Sequence, residues 1–232
     1  MPQKPRPPVL AHLRFLEDAP NLRPLTLSER FERIFETNLW GGKESKSGVG
    51  STLDATRKLR AGLLEIIEDT KCKVLVDCPC GDFNWISEIA PAVERYIGAD
   101  VVAALIDKNN RRHATEKIIF MTKDLTRDAL PQGDLFICRD CLVHLSFQNC
   151  RRAIENIKQS GAKWLIATTF TSLESNIDIE DGDWRALNMQ ASPFYFASPV
   201  STIVEDCMEA DGAYRDKSLG LWDLSTLPVQ HS

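Results

Sequence analysis

No stretch of this chain approaches the ~20 consecutive apolar residues of a membrane span, so nothing in it reads as a transmembrane helix. Positive charge is not in excess either. Lys and Arg number 28 against 33 Asp and Glu, a net charge of -5. That balance disfavours a broad non-specific nucleic-acid surface while leaving room for a local basic patch. Internal repeats and low-complexity tracts are absent, and 232 residues suffice for one domain with a substantial core. Two common phosphate-binding signatures are missing: neither GxxxxGK followed by Ser or Thr, nor GxGxxG, occurs. Residues 1–8 are rich in proline and cations with no apolar segment behind them, so no secretory leader is expected. The expectation is a flexible tail over residues 1–25 and a cytoplasmic chain.

Cysteine, by contrast, is plentiful. Seven thiols without a leader fit a reducing compartment. Cys78 and Cys80 lie at one candidate strand end and Cys138 and Cys141 at another, so neighbouring strands would bring four sulfurs together. Their order of spacings is unlike the paired CxxC of zinc ribbons. They are read as buried small hydrophobes, and no metal is expected.

The segment Val74-Leu75-Val76-Asp77-Cys78-Pro79-Cys80-Gly81-Asp82-Phe83 carries the most information. It reads as a short buried strand ending in a carboxylate, then a tight turn with glycine, then a helix over residues 84–90. Parallel α/β sheets bind ligands at such strand-to-helix crossings. Asp77 and Asp82 would repel a pyrophosphate, but they suit a ligand carrying an ammonium or a sulfonium. S-adenosylmethionine is therefore favoured over NAD.

Around this motif the pattern alternates. Thr26 and Glu29 form a capping box for a helix to about residue 37, with Phe31, Ile34 and Phe35 on its apolar face. A polar loop over 38–51 and a second helix over 52–68 come next. Strands are expected at 74–77, 96–100, 118–121, 135–138 and 164–168, with helices near 102–109 and over 147–159. An irregular segment over 171–199 precedes two more candidate strands, 201–205 and 219–224. Such alternation predicts an α/β fold, a Rossmann-like, doubly wound, mostly parallel sheet. Residues 26–71 are assigned to an N-terminal helical lid and 72–232 to the ligand-binding domain.

Asp77 and Gly81, succeeded in order by acids at later strand ends, resemble the class I S-adenosylmethionine-dependent methyltransferases. The usual family form is acid-x-Gly-x-Gly-x-Gly, and here Pro79 and Phe83 stand at positions usually held by glycine. The last two strands resemble the antiparallel hairpin that closes the methyltransferase sheet. Trp40, Glu44, Ser45, Ser47 and Gly48, with Asn38, resemble the N-terminal lid of small bacterial-type members. The resemblance implies that Asp100, about 23 residues past Asp77, binds the ribose hydroxyls of the cofactor. It likewise implies that Asp124 accepts from the adenine amino group, with Leu125 packing on the ring. The remaining cofactor contacts it implies are Cys78, Pro79, Gly81, Asp82, Phe83 and Trp85 in and just after the turn, Arg139, and Trp40 and Ser47 of the lid.

In the resembling fold the end of the fourth strand faces the transferable methyl group, which puts Arg139, Asp140 and His144 forward as catalytic or acceptor-binding groups. An oxygen acceptor must lose a proton. His144 is a natural base, and Asp140 could serve as base or orient it. Arg139, a permanent cation, could bind an anionic acceptor or the cofactor carboxylate. Beyond the fifth strand, Phe170, Asn176, Asp178, Trp184, Arg185 and Asn188 mix hydrogen-bonding groups with aromatics, as a polar acceptor requires. The expected function is methyl transfer from S-adenosylmethionine to a small polar molecule, a hydroxyl oxygen of a sugar or similar metabolite being favoured, with no nucleic-acid or membrane partner. The alternatives are an N- or carboxyl-methyltransferase, a nicotinamide-dependent oxidoreductase, and a non-catalytic protein that keeps the fold.

Overall fold

A computed structural model describes residues 6–229. Five strands run parallel: β1 (Val74–Asp77), β2 (Arg95–Asp100), β3 (Ile118–Thr122), β4 (Leu135–Cys138) and β5 (Trp164–Phe170). Two more, β6 (Ser201–Val204) and β7 (Lys217–Asp223), complete a seven-stranded sheet of order β3-β2-β1-β4-β5-β7-β6. β7 is antiparallel to both β5 and β6. The expected doubly wound sheet and its closing hairpin are therefore both present.

Successive strand residues face opposite sides, and the sheet sorts them accordingly. Leu75, Leu135 and Ile137 join the core beneath α3 (Arg57–Thr70), while Val76 and Phe136 join the core beneath α5 (Phe147–Gln159). Both faces are apolar, as a parallel sheet covered by helices requires. The parallel register aligns Asp77 with Gly98 and Ile137. The ends of β1, β2 and β4 therefore open on one edge, on either side of the point where strand order reverses.

The N-terminal region departs from the expectation. Residues 10–22, read as part of a flexible tail, form helix α1 (Leu10–Leu22). Phe15, Ala19 and Leu22, at helical spacing, are buried there against Ile34 and Leu39. The prolines and charges around this stripe hide it from composition. The first five residues of the expected tail lie outside those described. Helix α2 (Leu27–Glu36) starts at the predicted capping box, with Thr26 and Glu29 satisfying each other's backbone N–H groups.

Helix α3 begins five residues later than expected. The Thr52 and Thr56 hydroxyls bond nearby backbone groups and hold residues 52–56 in turns. Its buried Leu59, Leu63, Ile66 and Ile67 pack on the sheet, so α3 belongs to the domain core and not to the lid. The helix expected at 84–90 is replaced by two single 3-10 turns, Ile86–Glu88 and Ala90–Ala92. Pro91 lacks the N–H that a continuing helix would need. α4 (Ala103–His113) covers the β2–β3 side.

Candidate active site

At the open strand edge lies a crevice of about 1080 Å3, its mouth included. Asp77 ends β1 at its base. Its carboxylate accepts from the Tyr96 hydroxyl at 2.7 Å, and burial lifts its pKa to about 7 despite that bond. Asp100 ends β2 and accepts from the Gly81 and Val102 N–H groups at 3.1 and 3.0 Å. Burial raises it to about 6, the backbone donors opposing. The strand-end acid thus also shapes the glycine turn of the neighbouring strand. Gly81 adopts φ +55, and a Cβ there would stand 2.3 Å from Ser47 Oγ.

Most of the proposed cofactor set converges on this crevice. Trp40, Ser47, Asp77, Cys78, Pro79, Gly81, Asp82, Trp85, Asp100, Asp124, Leu125 and Arg139 all line it, as do Asp140 and His144. Phe83 does not. Its φ of +61 turns the ring into the core, against Tyr96, His113 and Phe120. Asp82 lines the wall, but its carboxylate is taken by the lid loop, accepting from Ser45 Oγ (2.9 Å), Lys46 N (2.9 Å) and Ser47 Oγ (3.3 Å). It is an anchor that draws residues 45–47 over Gly81. Asp124 closes its own turn by accepting from Thr126 N and Oγ1 on one oxygen, with Arg127 3.1 Å from the other. Sequence reading missed Phe31, Phe35 and Lys46 as crevice lining. The apolar face of α2 was visible, but not what it would cover.

His144 sits in a 3-10 turn (Leu142–His144) just after β4 and is buried. Its Nδ1 lies 2.7 Å from the Asp183 carbonyl oxygen. A carbonyl only accepts, so Nδ1 carries the proton and Nε2 is left with the lone pair. Burial lowers the pKa to about 4, keeping the ring neutral at ordinary pH. The Trp40 ring covers it at 4.8 Å between centroids. Asp183 is itself tied to the N-terminal region, its Oδ1 lying 2.7 Å from His12 Nδ1.

Neither of the other two candidates is free in the way the sequence implied. Burial works against ionisation of Asp140, yet Lys217 and then Arg139 hold its carboxyl far below the usual range. Lys217 Nζ donates to it at 2.6 Å, and Thr168 Oγ1 at 3.3 Å. Asp140 is thus a fixed anion, unsuited to serve as base. Arg139 donates to Glu205 at 2.5 Å and to the Gly50 carbonyl at 2.8 Å, with its guanidinium over the Trp85 ring. The expected partner for an anionic ligand is therefore committed inside the protein.

A second cavity, about 610 Å3 with its mouth, adjoins the first. Trp40, Ser47, Asp140 and His144 line both. Phe170 and Trp184, two of the six residues proposed to hold an acceptor, line the second. The other four do not, and each has structural work. Asn176 donates to the Asn188 and Ser192 carbonyls, and Asn188 to the Leu173 carbonyl. Asp178 accepts from Phe147 N at the start of α5. Arg185 is buried and donates to the carbonyls of Leu142, Leu145 and Ile177. Loop composition cannot separate such internal bonding from ligand binding. Residues that the sequence reading passed over complete the cavity: Val9, Leu10 and Ala11 at the N-terminus, and Glu209, Tyr214 and Lys217 around β7.

Among the described residues no group of three or more His, Cys, Asp or Glu is placed to hold a metal, and the seven cysteines are free thiols. Nor is any described helix long and apolar enough to cross a membrane.

Solved structures share this architecture. The N-methyltransferase NodS from Bradyrhizobium japonicum WM9 is 15% identical, with a TM-score of 0.51 over 73% of this chain and 96% of that one. Its complex with S-adenosyl-L-homocysteine is 16% identical, with a TM-score of 0.51 over 60% and 72%. The fold is that of class I methyltransferases. The first of the five parallel strands ends in Asp77 and the second in Asp100. Coverage is lower elsewhere: magnesium protoporphyrin IX methyltransferase from Synechocystis PCC 6803 is 16% identical over 51% of this chain, with a TM-score of 0.43, and is spanned over 57% of its own length. No protein-family model and no curated protein matches the sequence.

Proposed function

We propose that this chain is a methyltransferase that uses S-adenosylmethionine and acts on a hydroxyl of a small polar acceptor. The observation that carries the proposal is the meeting of two cavities at His144: one ringed by strand-end carboxylates, the other opening to aromatic and charged side chains. The donor fits the first. Asp77 and Asp100 are buried carboxylates held above their usual pKa, an environment that a hydroxylated, positively charged ligand relieves. Asp100 would accept from the ribose hydroxyls, Asp124 and Leu125 would hold the adenine, and Gly81 leaves room for Ser47 of the lid loop to sit against the turn. When bound, the donor supplies an activated methyl group on a sulfonium.

The chain's own residues then have two tasks. The first is alignment, since an in-line displacement gains most from holding its reactants in register. Trp40 and residues 45–47, the latter anchored by Asp82, would cover the junction. The second is proton removal. His144 presents an unprotonated Nε2 and is too weak a base to ionise a free hydroxyl in advance. It does not need to. A hydroxyl oxygen that is gaining a carbon becomes strongly acidic, so a neutral imidazole can take the proton as the bond forms.

The test is binding and then transfer. S-adenosyl-L-homocysteine should titrate into the protein with micromolar affinity, and radiolabelled S-adenosylmethionine should pass its methyl to a component of a metabolite extract. Binding of NADH with no binding of either methyl-cycle ligand would overturn the reading. Binding of the cofactor without transfer in any extract would leave a non-catalytic protein.

A further inference from the structure

The wall of the second cavity, together with the buried Arg139–Glu205 pair beside it, carries an imbalance of charge that the methyl-transfer reading does not use. Three carboxylates, Asp140, Glu205 and Glu209, stand around two cations, Arg139 and Lys217. Arg139 pairs with Glu205 at 2.5 Å and lies 3.3 Å from Asp140. Lys217 pairs with Asp140 at 2.6 Å and lies 3.7 Å from Glu205. Both cations are therefore charge-paired with the same two acids. Glu209 is left over. It lines the cavity, half-buried, and no described side chain or backbone group donates to its carboxylate. Burial raises its pKa, only partly offset by Lys217. The neighbouring ion pairs cancel internally, Arg6 with Asp216 and Lys58 with Asp206, so they do not compensate it.

The surroundings of Glu209 are those of a cation site. Trp40, Trp184, Tyr214 and Phe170 line the same cavity. The faces of Phe170 and Tyr214 already carry one cation, the Arg6 guanidinium, at 5.9 and 5.3 Å from the ring centroids. Gly50 opens space in the middle. A carbon placed on its Cα would stand 3.5 Å from Glu209 Oε1, 3.6 Å from Lys217 Nζ and 3.8 Å from Asp140 Oδ2.

We propose that the acceptor carries a protonated amino group, held by Glu209 among the aromatic rings, so that the substrate is a cationic amino alcohol and not a neutral or acidic polyol. This rests on the methyl-transfer reading of the same site. A neutral ligand would leave the third carboxylate, half-buried in the cavity wall, without a partner. An anionic one would add a further negative charge beside Asp140 and Glu209.

The experiment uses the full chain and a polar metabolite extract split by ion exchange at neutral pH into cationic, neutral and anionic pools. Each pool is incubated with radiolabelled S-adenosylmethionine. Label should enter the cationic pool, and acetylating the amines of that pool beforehand should abolish it. Glu209→Gln should lower the initial rate at low pool concentration about tenfold or more, the loss of a charge-assisted contact, while S-adenosyl-L-homocysteine affinity stays the same and reports an intact fold. Label confined to the neutral or anionic pool, or a Glu209→Gln rate equal to wild type, would overturn the proposal while sparing the transferase reading. No label in any pool, with the cofactor bound, would sink the two together.

Discussion

The two cavities that share His144 are assembled in opposite ways. The strand-end crevice takes its carboxylates in chain order, Asp77 and Asp100 closing β1 and β2 and Asp124 following just past the end of β3. The second cavity draws on residues 9–11, 40, 47–50, 140, 144, 170, 184, 207, 209, 214 and 217, the last four brought in by the hairpin of β6 and β7 that folds back beside β5. The first is a property of the sheet. The second is a property of the segments hung on its edge, the part of such folds that varies with the chemistry they serve.

That contrast is broken or sharpened most strongly at the shared residue. His144→Ala should reduce turnover by about 100- to 10,000-fold, the range for loss of a positioned general base, with cofactor affinity unchanged by calorimetry. An equal fall in affinity and turnover would make His144 a packing residue beneath Trp40 and would leave the second cavity without its chemistry. Next in size is Arg185→Leu, which tests whether the loop after β5 binds a ligand or holds itself together. Two buried carbonyls and one at the surface lose the Arg185 donor, and thermal unfolding should report a loss of about 2–4 kcal/mol. A variant of full stability with a weakened response to acceptor would return Arg185 to the ligand.

The same contrast explains which features the sequence revealed. Strand ends are legible because a buried parallel strand is a short apolar run, and the residue that stops it is named by position alone. β1 and β4 fall on the predicted residues, and α5 spans the predicted 147–159. Asp140 and Arg139 illustrate the limit. Their positions were legible, but their partners Lys217 and Glu205 lie 77 and 66 residues away, and only the antiparallel return of β7 brings them in. Asn176, Asp178 and Asn188 fail for a related reason. A polar side chain that satisfies a loop's own backbone has the same composition as one that waits for a ligand. α1 was missed because its three buried positions are interleaved with charges and interrupted by Pro20.

On the crevice side the expected effects are smaller and reach only the cofactor. Asp100→Ala should weaken S-adenosyl-L-homocysteine by about 1–3 kcal/mol, the cost of a lost charged acceptor. The acceptor cavity should be untouched. Unchanged affinity would move the ribose elsewhere on the edge.

The smallest effect is a dependence on pH, and its sign is fixed by the direction of the shift. Burial lifts the Asp100 carboxyl from 3.8 to about 6, so the native chain binds a proton that the unfolded chain has already released across that interval. Where the native state holds more protons, stability falls as pH rises. The unliganded protein should therefore lose stability relative to Asp100→Asn as pH climbs through about 4 to 6. Binding should run the other way. Hydroxyl donors favour the ionised carboxylate, so wild-type affinity for S-adenosyl-L-homocysteine should rise over the same interval, with the Asp77 titration following near 7. Asp100→Asn should show a flatter profile, with only the Asp77 titration, near 7, remaining. Parallel profiles for the two proteins would mean that the crevice carboxylates do not meet the ligand, and the distinction between the two cavities would rest on the acceptor side alone.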